Sequence, residues 1–598
     1  MDPEFPADEG PSSSFPELGA NALTVLERRY LERDLDGRVV ETPDGMFRRV
    51  ARAVASVEGA AAAAWERRFY ERMARLEFLP NSPTLMNAGR DLGQLAACFV
   101  VPVGDSMPQI FDAVKWASLI QMTGGGTGFS FSRLRPSGDV VASTRGVASG
   151  PMAFMDVFNT ATDAVKQGGT RRGANMGVLR VDHPDILAFV EAKLDQRRLT
   201  NFNVSVTVTD AFMRAVAADT DYALINPRTG AEVGRLRAAA VWQRMAISAW
   251  RSGDPGVIFI DRVNELQPTP QLGEIESTNP CGEQPLLPFE SCVLGSIDLA
   301  RFAAPGGDAP DWARLGACVH DAVRFLDNVI DVTRYPLPQI EAITKQNRKI
   351  GLGVMGFADL LIRLGVPYDA PAALEMAASL GAFIERESLA ASAALAVERG
   401  AFAAYPQSRW PGRGVPPLRN ATTTTVAPTG TISIIAGCSS GIEPLYSIVY
   451  DRHVLDGTTL REVHPRFAAT AAARGFASDA LWKALAARGR ARGTAGVPDD
   501  VQRLYATAHD LSPEVHVRMQ AAWQKYCHAA VSKTVNFPFE ATPDDVMRVY
   551  QLAYDLGCKG VTVYRDRSRA TQVLGTAGRP LAPAPTEGAA SEPTGSDP

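Results

Sequence analysis

The chain has 598 residues, 46% of them hydrophobic, and a net charge of −5 at pH 7. That is enough for one very large domain with an accessory one, or for three to four ordinary domains. The charge offers no basic stripe for a nucleic-acid polymer, and no run approaches the roughly 18 uninterrupted apolar residues of a membrane span, so neither partner is expected.

The N-terminus lacks a basic-then-apolar signal pattern, which points to a cytoplasmic protein. Seven cysteines (Cys98, Cys281, Cys292, Cys318, Cys438, Cys527, Cys558) are odd in number, widely spread and free of any Cys-x-x-Cys pair. That spacing opposes a secreted disulfide framework and a zinc site, so no metal ligands are assigned. A functional cysteine here is redox-active or catalytic. Cys318 and Cys527 lie in helical apolar periodicity and read as core.

Residues 1–15 are rich in Pro, Ser and acids and read as disordered. Leu23, Leu26 and Tyr30, then Trp65, Phe69, Met73 and Leu76, recur at helical spacing, giving an N-terminal helical domain over 16–80 that ends at Pro80. Asn81 to Gly89 reads as a polar loop, and Cys98 to Val103 as a short strand that begins at a thiol. Gly124 to Ser130 allows close backbone approach to a ligand but lacks dinucleotide-binding spacing. Lys166 to Asn175 places three cations and two amides on a glycine-rich loop; a solvated surface loop and a ligand-contacting one both fit. Phe202 to Val208 alternates as a half-buried strand, and Val257 to Ile260 is a short apolar strand. Helical stretches between strands argue an α/β fold.

Asn279 to Ser296 is the most informative stretch. Pro280, Gly282, Pro285 and Pro288 forbid a helix and oppose a central strand, so it is a shaped loop holding Asn279, Cys281 and Glu283 close together. A Pro/Gly turn that merely contains a cysteine fits this segment equally well. Ile350 to Phe357 reads as a glycine-rich turn. Ala427 to Ser433 reads as a helix entry suited to phosphate, or as an ordinary capped turn. Val531 to Pro538 and Gly557 to Asp566 are late strand or loop segments. The chain over 575–598 reads as a disordered tail, leaving 81–574 as the catalytic domain.

Six segments, in order, resemble the large catalytic chain of ribonucleotide reductases, specifically the class II, adenosylcobalamin-dependent type. They are Asn81–Gly89 (Asn-Ser-Pro-Thr-Leu-Met-Asn-Ala-Gly), Gly124–Gly128 (Gly-Gly-Gly-Thr-Gly), Lys166–Asn175, Asn279–Glu283 (Asn-Pro-Cys-Gly-Glu), Pro428–Ser433 (Pro-Thr-Gly-Thr-Ile-Ser) and Gly557–Arg565. The resemblance spans Leu23 to Arg569 and implies a ten-stranded α/β barrel of two half-barrels. A central finger loop would carry Cys281, and a helical domain would precede the barrel.

It also implies roles. Cys281 would carry a thiyl radical made with adenosylcobalamin, Glu283 would act as general base, and Asn279 would orient the sugar. Cys98 and Cys292 would supply two electrons and end as a disulfide. Substrate contacts would fall on Ser82, Ala97, Cys98, Gly126, Asn279, Pro280, Cys281, Gly282 and Glu283. The diphosphate would rest on Pro428, Thr429, Gly430, Thr431 and Ile432. Lys166, Gln167 and Arg171 would belong to a specificity loop read by a deoxynucleoside triphosphate (dNTP) effector, in a homodimer. Three departures from the family pattern bear on partners. Val563-Tyr564-Arg565 has one tyrosine where class I chains have an adjacent pair, no N-terminal ATP-binding cone is evident, and no C-terminal cysteine pair follows Cys558. An external dithiol or a thioredoxin-type protein is the expected reductant. The alternatives are a class I large subunit with a separate radical-generating subunit, and a catalytically silent nucleotide-binding homologue.

Overall fold

A computed structural model describes residues 15–141, 145–167, 171–454, 458–568 and 574–576. The expected disordered N-terminus lies outside the described residues except for Phe15, as does the expected tail beyond Thr576. Gly575 and Thr576 instead belong to a strand, Leu574–Thr576, paired with Tyr450–Arg452.

Three helices open the chain: α1 (Ala20–Arg29), α2 (Pro43–Ala55) and α3 (Ala62–Ala74). Thr42 caps α2 by accepting the Gly45 N–H and Pro43 fills its first turn, while Met46, Phe47, Val50, Ala51 and Val54 form its buried stripe. Helical structure stops at Ala74 rather than at Pro80, because Phe78–Pro80 (β1) pairs with a barrel strand. The expected polar loop after it contains a short helix, Ser82–Asn87, since the Asn81 side chain accepts the Thr84 N–H and Pro83 suits a first turn.

The rest is built on a closed barrel. Its first half is five parallel strands: β2 (Cys98–Val100), β3 (Gly126–Ser130), β4 (Asn175–Arg180), β5 (Phe202–Val208) and β6 (Gly256–Phe259). The second half contains β7 (Ser291–Asp298), β8 (Ile350–Met355), β9 (Thr534–Phe537) and β10 (Gly560–Arg565). Its fifth member is the extended segment through Thr424 and Val426, bridged in parallel to Leu352 of β8 and to Val531 just before β9. Leu352 N–H donates to Thr423 O at 2.8 Å and Val426 N–H to Ala530 O at 3.1 Å, which closes the ring. The halves meet antiparallel at β2/β7 and at β6/β10. Parallel strands need crossovers, and helices such as α4 (Met107–Met122), α5 (Gly150–Ala164), α6 (Trp312–Val332) and α7 (Pro371–Arg399) supply them. Ile350–Met355 is thus a wholly buried barrel strand and not a turn. Its Gly351 is needed for close approach, because a Cβ there would lie 2.7 Å from Gln284 Nε2 inside the ring.

The helical domain is tied to the barrel by charge as well as by apolar packing. Glu58 is held by Arg324 of α6, Arg399 of α7 and the Asn328 amide. Among the described residues no helix is long and apolar enough to cross a membrane.

Candidate active site

The stretch from Ser277 to Leu286 folds as a narrow hairpin, Ser277–Thr278 paired with Pro285–Leu286, and its tip is Asn279–Gln284. Asn279 closes that tip. Its N–H donates to Gln284 O (3.2 Å), its Oδ1 accepts the Gln284 N–H (3.0 Å), and its carbonyl accepts the Gly282 N–H (3.0 Å), with Gly282 at φ 82°. Partners from both half-barrels surround the tip. Asn203 of β5 donates to Pro280 O at 2.8 Å, while the Ala530 N–H (2.9 Å) and the Thr425 hydroxyl (3.0 Å) both reach Glu283 O. A Cβ on Gly126 would sit 3.0 Å from Pro280 Cγ, and one on Gly128 would run into the Thr278 carbonyl. The proline-rich loop is therefore a finger inside the ring, as the fold expectation had it, but the loop expected to run to Ser296 ends sooner, because Ser291–Ser296 already belongs to the central strand β7.

Three thiols converge on this finger. Cys281 is exposed into a cavity of about 960 Å³ that Pro280, Gly282, Pro428, Tyr446 and Tyr564 also line. Cys98 and Cys292 are buried and directly opposite each other across β2 and β7. Such antiparallel partners have Cα atoms about 4.5–5.5 Å apart, within the about 4.4–6.8 Å a disulfide tolerates. Asn279 Nδ2 donates to Cys98 Sγ at 3.2 Å. Burial, followed by the Glu283 charge, pushes the Cys98 thiol well above its ordinary range, and burial with the Glu290 charge does the same for Cys292. Both therefore sit as neutral thiols, the form that has a hydrogen to give.

Glu283 is buried, and that burial raises its carboxyl to about 7 even though the Asn279 amide favours the charged form. Its Oε2 is buried without a hydrogen-bond partner among the described residues. A carboxyl poised near neutrality with a free acceptor oxygen suits a base that takes a proton from a bound hydroxyl.

The remaining sequence candidates divide. Ala97 and Gly126 lie beside the thiol pair: the Ala97 N–H donates to Cys292 O (3.3 Å) and its carbonyl accepts the Gly126 N–H (2.9 Å). Ser82 is turned to Tyr30, hydroxyl to hydroxyl at 2.7 Å. At Pro428–Ile432 a helix, Ile432–Ala436, does follow the turn, and Thr429 adopts φ 52° with its hydroxyl accepting the Gly441 N–H. Pro428 of this stretch, and Ser433 just beyond it, reach the cavity wall, while Thr429 to Ile432 are not among its lining residues. Lys166–Gln167 and Arg171–Arg172 pair as a small antiparallel hairpin, with residues 168–170 outside the described ones.

Three buried lysines escaped the sequence reading: Lys349, Lys559 and Lys533, the last paired with Glu443 on the cavity wall. Lys349 pairs with Glu290 at 2.7 Å, side chains 3% and 0% exposed, and Glu290 also accepts the Leu287 N–H and the Asn347 amide, pinning the finger's C-terminal stem. Lys559 donates to His528 O (2.7 Å) and Ala529 O (2.6 Å), one residue from the Ala530 N–H that holds Glu283 O; burial lowers it to about 8. Each directly precedes a barrel strand, a local signal that becomes legible only once the strands are known.

Residues 96–564 match the ribonucleotide reductase barrel domain and residues 16–93 the ribonucleotide reductase all-alpha domain. The vitamin B12-dependent ribonucleoside-diphosphate reductase of Thermoplasma acidophilum is 46% identical, across 94% of this chain and 80% of its own. That of Mycobacterium tuberculosis (strain CDC 1551 / Oshkosh) is 50% identical across 94% and 81%. Among solved structures, the Actinobacillus ureae class Id ribonucleotide reductase alpha subunit shares the fold at TM-score 0.77 and 22% identity, covering 92% of this chain and 97% of that one. With its finger loop, barrel and helical domain in place, the chain belongs to the ribonucleotide reductase family, in the branch of the vitamin B12-dependent ribonucleoside-diphosphate reductases.

Proposed function

We propose that this chain reduces ribonucleoside diphosphates to 2′-deoxyribonucleotides for DNA synthesis, with Cys281 as the radical residue. The observation that carries this reading is the grouping at the fingertip: one thiol exposed to a large cavity, two neutral thiols paired behind it, and a buried carboxyl with a free acceptor oxygen.

A ribose 2′-hydroxyl leaves as water once a radical sits at C3′. Cys281 takes the C3′ hydrogen atom and later returns one. Glu283 accepts the 3′-hydroxyl proton at Oε2, and Asn279 holds the fingertip against Cys98. Cys98 and Cys292 give up two hydrogens, so that ribonucleotide plus two thiols becomes deoxyribonucleotide, water and one disulfide. Pro428 to Ile432 would seat the diphosphate.

The cavity of about 960 Å³ supports the cofactor reading because it opens on the Cys281 thiol, the atom such a cofactor must reach. Adenosylcobalamin, when bound, supplies the one-electron chemistry that removes the thiol hydrogen. Asn203, Ser205, Asp254, Tyr446, Asn536 and Tyr564 would hold it.

A dNTP effector would act on the hairpin bearing Lys166, Gln167 and Arg171. A homodimer is supported by the exposed stripe Met107, Phe111, Leu119 and Met122 on the neighbouring α4. A dithiol or thioredoxin-type protein would reopen the disulfide, and the site of action would be the cytoplasm.

The test is turnover with adenosylcobalamin, a ribonucleoside diphosphate and dithiothreitol. Wild-type protein is expected to form deoxynucleotide, and Cys281→Ser none while still binding nucleotide, because a hydroxyl O–H is too strong to yield the radical. Substantial turnover by that variant would remove Cys281 from its role. Turnover that required a second protein would favour the class I alternative.

A further inference from the structure

Behind the first half-barrel, four polar side chains from four different elements close on one another: Gln121 at the end of α4, Thr127 in β3, Thr162 in α5 and Asn175 at the start of β4. They are 1%, 0%, 4% and 1% exposed. Gln121 Nε2 donates to Thr127 Oγ1 (3.0 Å) and Asn175 Oδ1 (2.7 Å), and the Thr127 hydroxyl also donates to Asn175 Oδ1 (2.7 Å). Asn175 Nδ2 donates to Thr162 Oγ1 (2.9 Å), whose hydroxyl ends the chain on Phe158 O (2.8 Å).

The two amides fix each other's orientation. Turning the Asn175 amide over would set its NH2 against the Gln121 NH2 and the Thr127 hydroxyl proton, leaving buried donors facing donors. It also lies between two places that matter. On one side, α5 runs directly into the Lys166–Arg172 hairpin, and the chain returning from that hairpin passes through Gly173. A Cβ on Gly173 would strike Thr162 and lie 3.3 Å from Gln121 Oε1, so the hairpin's exit rests on the network itself. On the other side, strand alternation turns Thr127 outward to the network while its neighbours Gly126 and Gly128 face inward against Pro280 and Thr278 of the finger. The Thr127 N–H donates to Ala174 O at 3.2 Å, joining the two sides through the backbone.

We infer that Gln121, Thr127, Thr162 and Asn175 are positioning residues that transmit the hairpin's state to the finger loop, so that effector and substrate sites share this buried network. The inference rests on the reading of Lys166–Arg172 as the specificity hairpin. A tightly packed interior passes a shift at Asn175 to β3 with little loss, and the glycines leave no side chain between β3 and the finger to absorb it.

The experiment uses the adenosylcobalamin-loaded enzyme. Rates for the four ribonucleoside diphosphates are measured with each dNTP and without any, and effector affinity is measured by equilibrium binding. Thr127→Val keeps the shape and removes the hydroxyl; Gln121→Met removes the amide. In either variant the effector-induced change in substrate preference is expected to shrink by about three- to thirtyfold. Effector affinity and effector-free rates should stay within about twofold, and Thr127→Ser should restore wild-type behaviour. If both variants are folded and keep the wild-type effector dependence, the network is not the coupling element. If Thr127→Val fails to fold, Gln121→Met and Thr127→Ser decide. If the wild type shows no effector dependence, or Gln167→Ala leaves that dependence intact, the hairpin reading itself falls and takes this inference with it.

Discussion

Replacing Glu283 by Gln removes a buried titratable group while keeping its shape, so stability and activity should move in opposite directions. Burial raises this carboxyl from the usual 4.5 to about 7. Below pH 4.5 folded and unfolded chains both hold the proton, and there is no penalty. Between 4.5 and 7 the unfolded chain releases it while the folded chain keeps it, so the folded state loses stability as pH rises through this window. At about 1.4 kcal/mol for each tenfold, the penalty is about 1 kcal/mol at pH 5 and about 3 kcal/mol at pH 8. Glu283→Gln should therefore be more stable than wild type by about 3 kcal/mol at pH 8 and by about 1 kcal/mol at pH 5, as read by urea denaturation at both values. As a base, Glu283 must be ionised. Wild-type turnover at pH 6 should thus be about a tenth of its alkaline plateau, and the variant should lose about 10²- to 10⁴-fold with no acid limb remaining. Equal stabilisation at the two pH values would refute the burial argument. An acid limb that survives in Glu283→Gln would refute the base assignment.

After a single turnover without added dithiol, alkylation and mass analysis should find Cys98 and Cys292 protected together and Cys281 free. Protection of any other pair would reassign the reductant thiols. Lys349→Met strands Glu290 as an unpaired buried carboxylate at the finger's stem, and should cost about 3–5 kcal/mol of stability. A loss under about 1 kcal/mol would mean that water reaches Glu290 in solution.

Much of this protein was legible before folding because its chemistry sits in short local stretches. Pro280, Gly282, Pro285 and Pro288 exclude a helix on steric and donor grounds, so a shaped turn around Cys281 follows from the residues themselves, although Pro285 still pairs with Thr278 in the hairpin's short ladder. The helical opening and the strands read at Phe202–Val208 and Val257–Ile260 follow from local pattern in the same way, although the first is buried on both faces rather than one and the second lies one residue earlier, at Gly256–Phe259.

Other features depend on segments far apart in the chain. Ile350–Met355 reads locally as a glycine-rich turn, yet it is a barrel strand, because its glycines answer to Gln284 and Thr425 rather than to their sequence neighbours. Cys98 and Cys292 are 194 residues apart, and only the β2/β7 register sets them face to face. The Glu283 carboxyl is ordinary by composition; its rise to about 7 comes from the barrel excluding water around the finger. Lys349, Lys559 and the Gln121–Asn175 network carry no local signature either, since a buried polar group is specified by partners the fold delivers. Sequence decides what a segment cannot be and which side chains it offers, while water exclusion and long-range register, which exist only in the folded chain, decide what those side chains do.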